Sequence, residues 1–148
     1  MLLNKKYKII CFSLLLFIAP LILNAQNMEV VITGINSTNG QISIGIFKDD
    51  KSFQEEKPFI LKKFEKNEIL KGEMTVKFSL ASGIYGFSLL DDENNDGKMN
   101  YNFLGIPKEG FGFSNYELSG LRKPKFDVFK FVLSKNQKQK IVMKVKYM

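Results

Sequence analysis

Carboxylate and amide side chains alternate in the segment Asp92–Gly97, which reads D-E-N-N-D-G. Calcium takes roughly six to eight oxygen ligands, and alternate residues of a tight turn direct Asp and Asn oxygens towards one centre. The glycine at the end of the segment permits the sharp bend that such a loop needs. The spacing therefore predicts a calcium site whose ligands are the side chains of Asp92, Asn94 and Asp96, the carbonyl of Lys98, and Asn100.

The second half of this loop departs from the helix–loop–helix calcium motif. When Asp92 is counted as the first position, the twelfth is Phe103 and not the bidentate Glu that the motif requires. No helix is predicted on either side of the loop. Either Asp91, Glu93 or the more distant Glu109 supplies the missing carboxylate, or the loop binds no metal and its Asp and Asn side chains only stabilise the turn.

Histidine is absent from the whole chain. Its absence excludes Ser-His-Asp and Cys-His nucleophilic catalysis and the common histidine-based zinc and copper sites. A pair of carboxylates can still hydrolyse a glycosidic bond when the two groups face each other across a cleft. The clustered candidates for such a pair are Asp91, Asp92, Glu93, Asp96 and Glu109.

Alternation of apolar and polar residues dominates the rest of the chain. In Gln41–Lys48 the isoleucines point to one side, and Ser43 and Gly45 point outward. The same pattern predicts strands in Met28–Ile35, Glu73–Leu80, Ile84–Leu90, Phe126–Leu133 and Gln139–Tyr147. Short strands without a long helix predict an all-β fold: an antiparallel two-sheet sandwich of the immunoglobulin or transthyretin type, with about seven strands and one long structured loop.

Two connections between these strands carry separate predictions. Asn39-Gly40 is a strong hairpin signal, because both residue types tolerate a positive φ, and it predicts that the first two strands pair as an N-terminal hairpin. The segment Asp49–Leu70 stays ambiguous, since its apolar residues fit both a helix and an irregular edge strand.

The longest connection runs from Leu90 to Asn115, and its second half is too apolar for a free loop. A long connection in a small domain is usually functional or folded in its own right. The following apolar residues are expected to pack the segment against one end of the sandwich: Phe103, Leu104, Ile106, Phe111 and Phe113.

Residues 1–25 have the features of a secretory signal peptide. Three lysines precede the apolar run Ile9–Leu23, and the small residue Ala25 follows in a suitable cleavage context. The run is shorter than the roughly 20 residues of a membrane-spanning helix, and Pro20 lies inside it. We therefore expect a cleaved signal, a single β-sandwich domain over residues 26–148, and export to the periplasm or the cell exterior.

The net charge of the chain is +7, from 22 basic and 15 acidic residues. The predicted signal holds three of the lysines, so 19 basic residues remain against the same 15 acidic ones. These lysines are spread along the strands, which indicates a solvated face and no nucleic-acid partner. The short basic cluster Arg122–Lys125 is interpreted as solvated surface or as a contact for an anionic partner.

The segment D-E-N-N-D-G-K-M-N, followed by N-F-L-G-I-P-K-E-G-F-G-F-S-N, resembles the pattern of an exported bacterial family called "domain of unknown function 2141". That pattern reads H-D-E-N-x-N-G-K-L-D and then G-I-P-x-E-x-x-G-F-S-N. S-G-I-Y-G-F upstream and K-P-K-F downstream also resemble its strand entries, so the likeness covers nearly all of the chain after the signal. Two departures are Asp91, where the family usually has His, and Asn100, where it usually has Asp. The resemblance implies an exported β-sandwich and supplies no reaction.

These observations favour an exported, non-enzymatic β-sandwich module that binds a cation or a small ligand through the Asp92–Gly97 loop. Calcium is the one cofactor predicted. Two alternatives stay open: a carboxylate-dependent hydrolase acting on an extracellular polymer, and an envelope adhesion or assembly protein. No particular protein or glycan partner follows from the sequence, and no membrane-spanning segment is expected after signal cleavage.

Overall fold

Eight short strands and two single-turn helices make up the computed structural model, which describes residues 27–120 and 122–148. The strands are β1 (Met28–Thr33), β2 (Gln41–Phe47), β3 (Ile60–Glu65), β4 (Met74–Phe78), β5 (Gly83–Asp92), β6 (Gly110–Phe113), β7 (Phe131–Leu133) and β8 (Gln139–Lys144). The helices are α1 (Asp50–Gln54) and a 3-10 helix (Phe126–Val128). The predicted signal peptide lies outside the described residues.

Two sheets form the architecture, and this confirms the predicted β-sandwich. One sheet has the strand order β4-β1-β8, and the other has the order β3-β2-β5-β6, with β7 also paired to β5. The prediction of purely antiparallel sheets was wrong for one pair, because β1 runs parallel to β8, with Met28 opposite Gln139. Alternation identifies the buried face of a strand and leaves its direction undetermined.

The predicted N-terminal hairpin was also wrong. Strand β1 belongs to the three-stranded sheet and β2 to the other sheet, so the Asn39-Gly40 turn carries the chain across the sandwich. Residues 34–40 are longer than a two-residue hairpin loop, and Ile35 is buried within them, donating its backbone N–H to the Gly72 carbonyl at 2.9 Å. The apolar faces of β1 and β2 therefore meet across the core and not side by side.

The main core lies between the sheets and is built by the alternating residues that the sequence identified. Its fully buried members include Val30, Ile32, Ile42, Ile44, Ile46, Phe87, Ile141 and Met143. Burial of a large aliphatic or aromatic side chain stabilises the fold by about 1.5–3 kcal/mol. These residues therefore supply the main driving force for packing the two sheets together.

A second apolar cluster covers part of the outer face of the five-stranded sheet. It consists of Phe47, Phe53, Phe111, Phe113, Phe126 and Phe129. Helix α1, the 3-10 helix and β6 bring these rings together, and Phe53 meets Phe47 edge to face at a centroid distance of 5.3 Å. Strand β2 is consequently buried on both faces, so its Ser43 and Gly45 are buried and not solvated as predicted.

Two of the predicted segments have a different local structure. In the ambiguous segment, the apolar residues Ile60, Leu61 and Phe64 lie in the edge strand β3, and the short helix α1 precedes them. The predicted strand Phe126–Leu133 is reduced to β7, because Phe126 and Phe129 share the buried side of a 3-10 turn. Residues three apart lie on one side of such a turn. In the sequence this spacing of Phe126 and Phe129 is hard to recognise, because the alternating residues Phe131 and Leu133 follow directly.

The long connection is shorter than predicted, because β5 extends to Asp92 and Gly110–Phe113 forms β6. Phe111 and Phe113 are buried as expected, and Ile106 is half-buried. Phe103 and Leu104 are 95% and 67% exposed, so the expectation that they pack against the sandwich was wrong. They lie in a tight turn in which the Asn102 side chain accepts the backbone N–H groups of Leu104 and Ile106. Among the described residues, no helix is long and apolar enough to cross a membrane.

Candidate functional site

The loop after β5 is organised around the carboxylate of Asp92, which is fully buried. Its Oδ1 accepts a hydrogen bond from the backbone N–H of Asp96 at 3.1 Å. Its Oδ2 accepts from the backbone N–H of Gly97 at 3.0 Å and from Nε2 of Gln41 at 2.7 Å. A carboxylate that binds backbone N–H groups four and five residues ahead closes the loop into a ring. The Gln41 contact anchors that ring to the neighbouring strand β2.

A second ring of contacts joins the other predicted ligands. Asp96 Oδ1 accepts from the backbone N–H of Lys98 at 3.0 Å. Asp96 Oδ2 accepts from the side-chain amides of Asn100 at 2.9 Å and Asn94 at 3.2 Å. The Asn100 amide and the Lys98 N–H lower the pKa of Asp96, because they stabilise its charged form. The structure thus brings together the side chains of Asp92, Asn94, Asp96 and Asn100, while Lys98 contributes a backbone N–H.

Glu109 completes this group from a distant point in the chain. The segment between them folds back on itself, with the Lys108 N–H donated to the Asn100 carbonyl at 2.9 Å and a bridge between Tyr101 and Pro107. Glu109 is only 6% exposed, and its Oε2 accepts from the backbone N–H of Asn100 at 3.1 Å. Of the three carboxylates that could complete the site, Glu109 is therefore the one that hydrogen-bonds to Asn100.

The second oxygen of Glu109, Oε1, is buried and has no hydrogen-bond partner among the residues described. Burial raises the pKa of Glu109, and the negative charges of Asp92 and Asp96 add to this shift, while the backbone N–H groups of Asn100 and Asn94 oppose it. A buried carboxylate oxygen without a partner is unfavourable by more than a kcal/mol, so such a group in a native fold calls for an explanation. A bound cation would provide one.

A cavity of about 450 Å³ opens beside this carboxylate, and we call it the cation cavity. Its lining residues are Glu93, Asn94, Asn100, Tyr101, Lys108 and Glu109. Within the described ranges, no group of three Asp, Glu, His or Cys side chains is arranged to hold a metal by itself. The oxygens at the cavity are a mixture of carboxylates and amides, which suits a hard cation such as calcium better than zinc or copper.

Asp91 is directed away from this site into the sandwich. Its Oδ1 forms an ion pair with the ammonium of Lys66, and both side chains are at most 1% exposed. Its Oδ2 accepts from the hydroxyl of Tyr147 at 2.5 Å, and burial followed by this hydrogen bond raises the pKa of Tyr147. Lys66 also donates to the Ser37 carbonyl at 3.1 Å. Asp91 is consequently neither a loop ligand nor a carboxylate that a polymer could reach.

The basic cluster 122–125 makes contacts within the protein. Lys123 lies 3.0 Å from a carboxylate oxygen of Glu56 and 4.8 Å from the centre of the Phe53 ring. Asp50 accepts the backbone N–H of Phe126 at 2.9 Å, and this bond is the main cause of its lowered pKa. These contacts attach the segment before the 3-10 helix to α1, so the cluster has a structural role.

Comparison with known proteins gives one match. A family model described as "Uncharacterized protein conserved in bacteria (DUF2141)" matches residues 30–141. The chain belongs to this family. The match spans all eight strands apart from the ends of β1 and β8, so the loop, Glu109 and the Lys66–Asp91 ion pair are all within the family domain. No curated protein and no solved structure matches the chain.

Proposed function

We propose that this protein is an exported, non-enzymatic β-sandwich module that binds calcium through the loop Asp92–Asn100 together with Glu109. The observation that carries the proposal is the buried Glu109 Oε1, which has no hydrogen-bond partner in the described part of the chain and lies beside a cavity that the side chains of Asn94 and Asn100 line. The basic, apolar N-terminal segment supports export. Extracellular calcium modules work at roughly 10⁻⁴–10⁻³ M affinity, which suits a site with few carboxylates.

The chemistry of the loop fits this role with a small rearrangement. Asn94 and Asn100 present their NH₂ groups to Asp96. Asn94 Oδ1 accepts the Asp96 N–H at 3.0 Å, and Asn100 Oδ1 accepts from the Asn94 amide at 2.8 Å. Rotation of each terminal amide by half a turn would place its oxygen where the nitrogen is and break these two bonds, while the Asp96 N–H would keep Asp92 as an acceptor. Glu109 Oε1 supplies the carboxylate that the twelfth position of the loop lacks. The calcium-bound loop would therefore exchange internal hydrogen bonds for metal–oxygen contacts.

The test is a calcium titration by calorimetry, with chemical unfolding in calcium and in chelator. A ligand that binds only the folded state at a hundredfold excess over its Kd stabilises that state by about 2.7 kcal/mol. We expect saturable calcium binding and a gain of this order, with a much smaller gain in magnesium, which demands stricter octahedral geometry. The Glu109→Gln variant is expected to lose the calcium-dependent gain.

The control is Glu93→Gln, because Glu93 lines the same cavity but is half-buried and is not one of the proposed ligands. It is expected to keep most of the calcium response. In chelator, Glu109→Gln is expected to be at least as stable as the wild type, because the amide removes an unpartnered buried charge. Absence of both heat and stabilisation in the wild type would show that the loop is a structural turn only.

A further inference from the structure

The outer face of the five-stranded sheet carries a second cavity of about 420 Å³, which we call the apolar cavity. Its floor consists of two cross-strand rows: Ser43 beside Leu90, and Gly45 beside Ser88. Helix α1 and the segment before the 3-10 helix cover the sheet at one end, and the loop Asp92–Asn100 with the residues that follow it up to Pro107, which we call the cation loop, covers it at the other. The space between these covers is left open. Small-molecule sites in proteins have volumes of roughly 300–1,000 Å³, so the cavity is large enough for one ligand.

The walls of the apolar cavity are mainly aromatic and aliphatic, although Glu56, Lys98 and Lys123 also line it. Phe47, Phe53 and Phe113 line it, and Phe53 meets Phe113 edge to face at a centroid distance of 5.9 Å. Met99 and Tyr101 line the side formed by the cation loop. Aromatic rings attract a further ring in edge-to-face or offset arrangements. These walls favour an aromatic ligand.

One buried polar atom at this cavity has no hydrogen-bond partner among the described residues. The Ser43 hydroxyl is buried, with the residue only 5% exposed, and its Oγ has no hydrogen-bond partner in the ranges that the structure describes. An unsatisfied buried hydroxyl is unfavourable, and most buried hydroxyls in proteins are paired. A ligand with one donor or acceptor at its end would satisfy it.

Gly45 lets an aromatic ring of the protein pack onto the floor. A Cβ atom at this position would lie 3.0 Å from the Phe47 ring and 3.2 Å from the Ser88 hydroxyl, so the Phe47 ring occupies the space next to the Gly45 backbone. A planar molecule in the cavity would therefore lie against this ring. Largely apolar walls with a few polar groups, among them the hydroxyls of Ser43 and Ser88, are typical of small-molecule sites.

We infer that the apolar cavity is a binding site for a small planar aromatic molecule that carries one hydrogen-bonding group, which pairs with the Ser43 hydroxyl. The residues that support this inference differ from the proposed calcium ligands, so it stands independently of the calcium proposal. The cation loop nevertheless forms one wall, and titrations with calcium and with chelator are both informative.

The probe is 2-naphthol, whose fluorescence is read against a chain that contains no tryptophan. Naphthalene, which has the same rings without the hydroxyl, and decanoate, which is an acyl chain, serve as competitors. We expect 2-naphthol to bind in at least one of the two calcium conditions. Ser43→Ala is expected to weaken 2-naphthol binding about tenfold and leave naphthalene binding unchanged, because only the hydroxyl loses its partner.

Ser82→Ala is the matched control, because Ser82 is exposed in a turn away from the cavity, and it is expected to change neither affinity. Ser43→Leu fills the cavity from its floor and is expected to abolish binding of both ring compounds. If that variant does not fold, Leu61→Arg obstructs the cavity from its half-exposed rim, keeps the chain free of tryptophan and gives the same test.

Three results would overturn the inference. The first is no binding of 2-naphthol with calcium or with chelator. The second is an equal effect of Ser43→Ala on 2-naphthol and naphthalene, which would remove the role of the hydroxyl. The third is binding of decanoate at least as tight as that of 2-naphthol, which would make the cavity an acyl-chain site.

Discussion

Replacing Lys66 with methionine is expected to lower the free energy of unfolding by about 3–5 kcal/mol. The ammonium of Lys66 is paired with Asp91 where both side chains are fully buried. Removal of one partner leaves an uncompensated charge in the core, and desolvation of a single ion is several kcal/mol unfavourable. The measurement is urea-induced unfolding followed by circular dichroism.

Two further variants separate the charge from the packing. Lys63→Met, on the exposed side of β3, which ends one residue before Lys66, is expected to change stability by less than about 0.5 kcal/mol. The double variant Lys66→Met with Asp91→Leu replaces the ion pair by apolar groups and is expected to recover more than half of the loss. Tyr147 keeps one hydrogen bond in that variant, since its hydroxyl oxygen also accepts the Asn36 N–H at 3.0 Å. A double variant as unstable as Lys66→Met would contradict this explanation.

Gly40→Ala is the second substitution for which a large effect is expected, about 2–5 kcal/mol of lost stability. Gly40 has φ +74°, a conformation that is unfavourable for alanine. A Cβ atom there would also lie 2.0 Å from the Asp92 carbonyl oxygen and 2.6 Å from Cα of Glu93. Both atoms belong to the backbone at the start of the cation loop, so the loop itself has to move.

Gly105→Ala is the matched control for this prediction. Gly105 has the same φ of +74°, but a Cβ atom there has no neighbour within 4 Å. The Gly105→Ala variant is therefore expected to lose only the roughly 1–2 kcal/mol of stability that the unfavourable φ costs alanine. The difference between the two variants in urea unfolding measures the contact between Gly40 and the loop. Equal losses would show that this contact is easily relieved.

The strands were largely predictable, because each buries one face. In β4 the residues Met74, Val76 and Phe78 are buried, and Thr75 and Lys77 are exposed, as alternation predicts. Strand pairing was not predictable in the same way. Asn39-Gly40 has the composition of a hairpin turn, but the apolar faces of the flanking strands pack across the core. Local turn chemistry does not distinguish a return within one sheet from a crossing between two.

The candidate site was predictable in part. The spacing of Asp92, Asn94 and Asp96 identified the loop, and the structure brings these side chains together. Glu109 was one of three candidates, and only the folding back of the intervening segment onto Asn100 selects it. Ser43 was interpreted as solvated, because nothing in the sequence reveals that α1 and the later segments cover the outer face of β2. Serine and glycine occur at the outward positions of a strand both when that face is solvated and when other segments cover it, so the sequence does not distinguish the two cases.

The parallel pairing of β1 with β8 has a consequence for how the domain folds. Met28 lies opposite Gln139, so the first and last strands of the domain are neighbours in the three-stranded sheet. A nascent chain lacks β8 until residues 139–144 have been synthesised, and until then the edge of β1 that faces β8 has no partner. Contacts so distant in sequence slow folding, since the entropy of closing the loop is lost before they form. Completion of this sheet therefore requires β8, and a ribosome-bound chain that ends before Gln139 is expected to be digested by protease more readily than the complete domain.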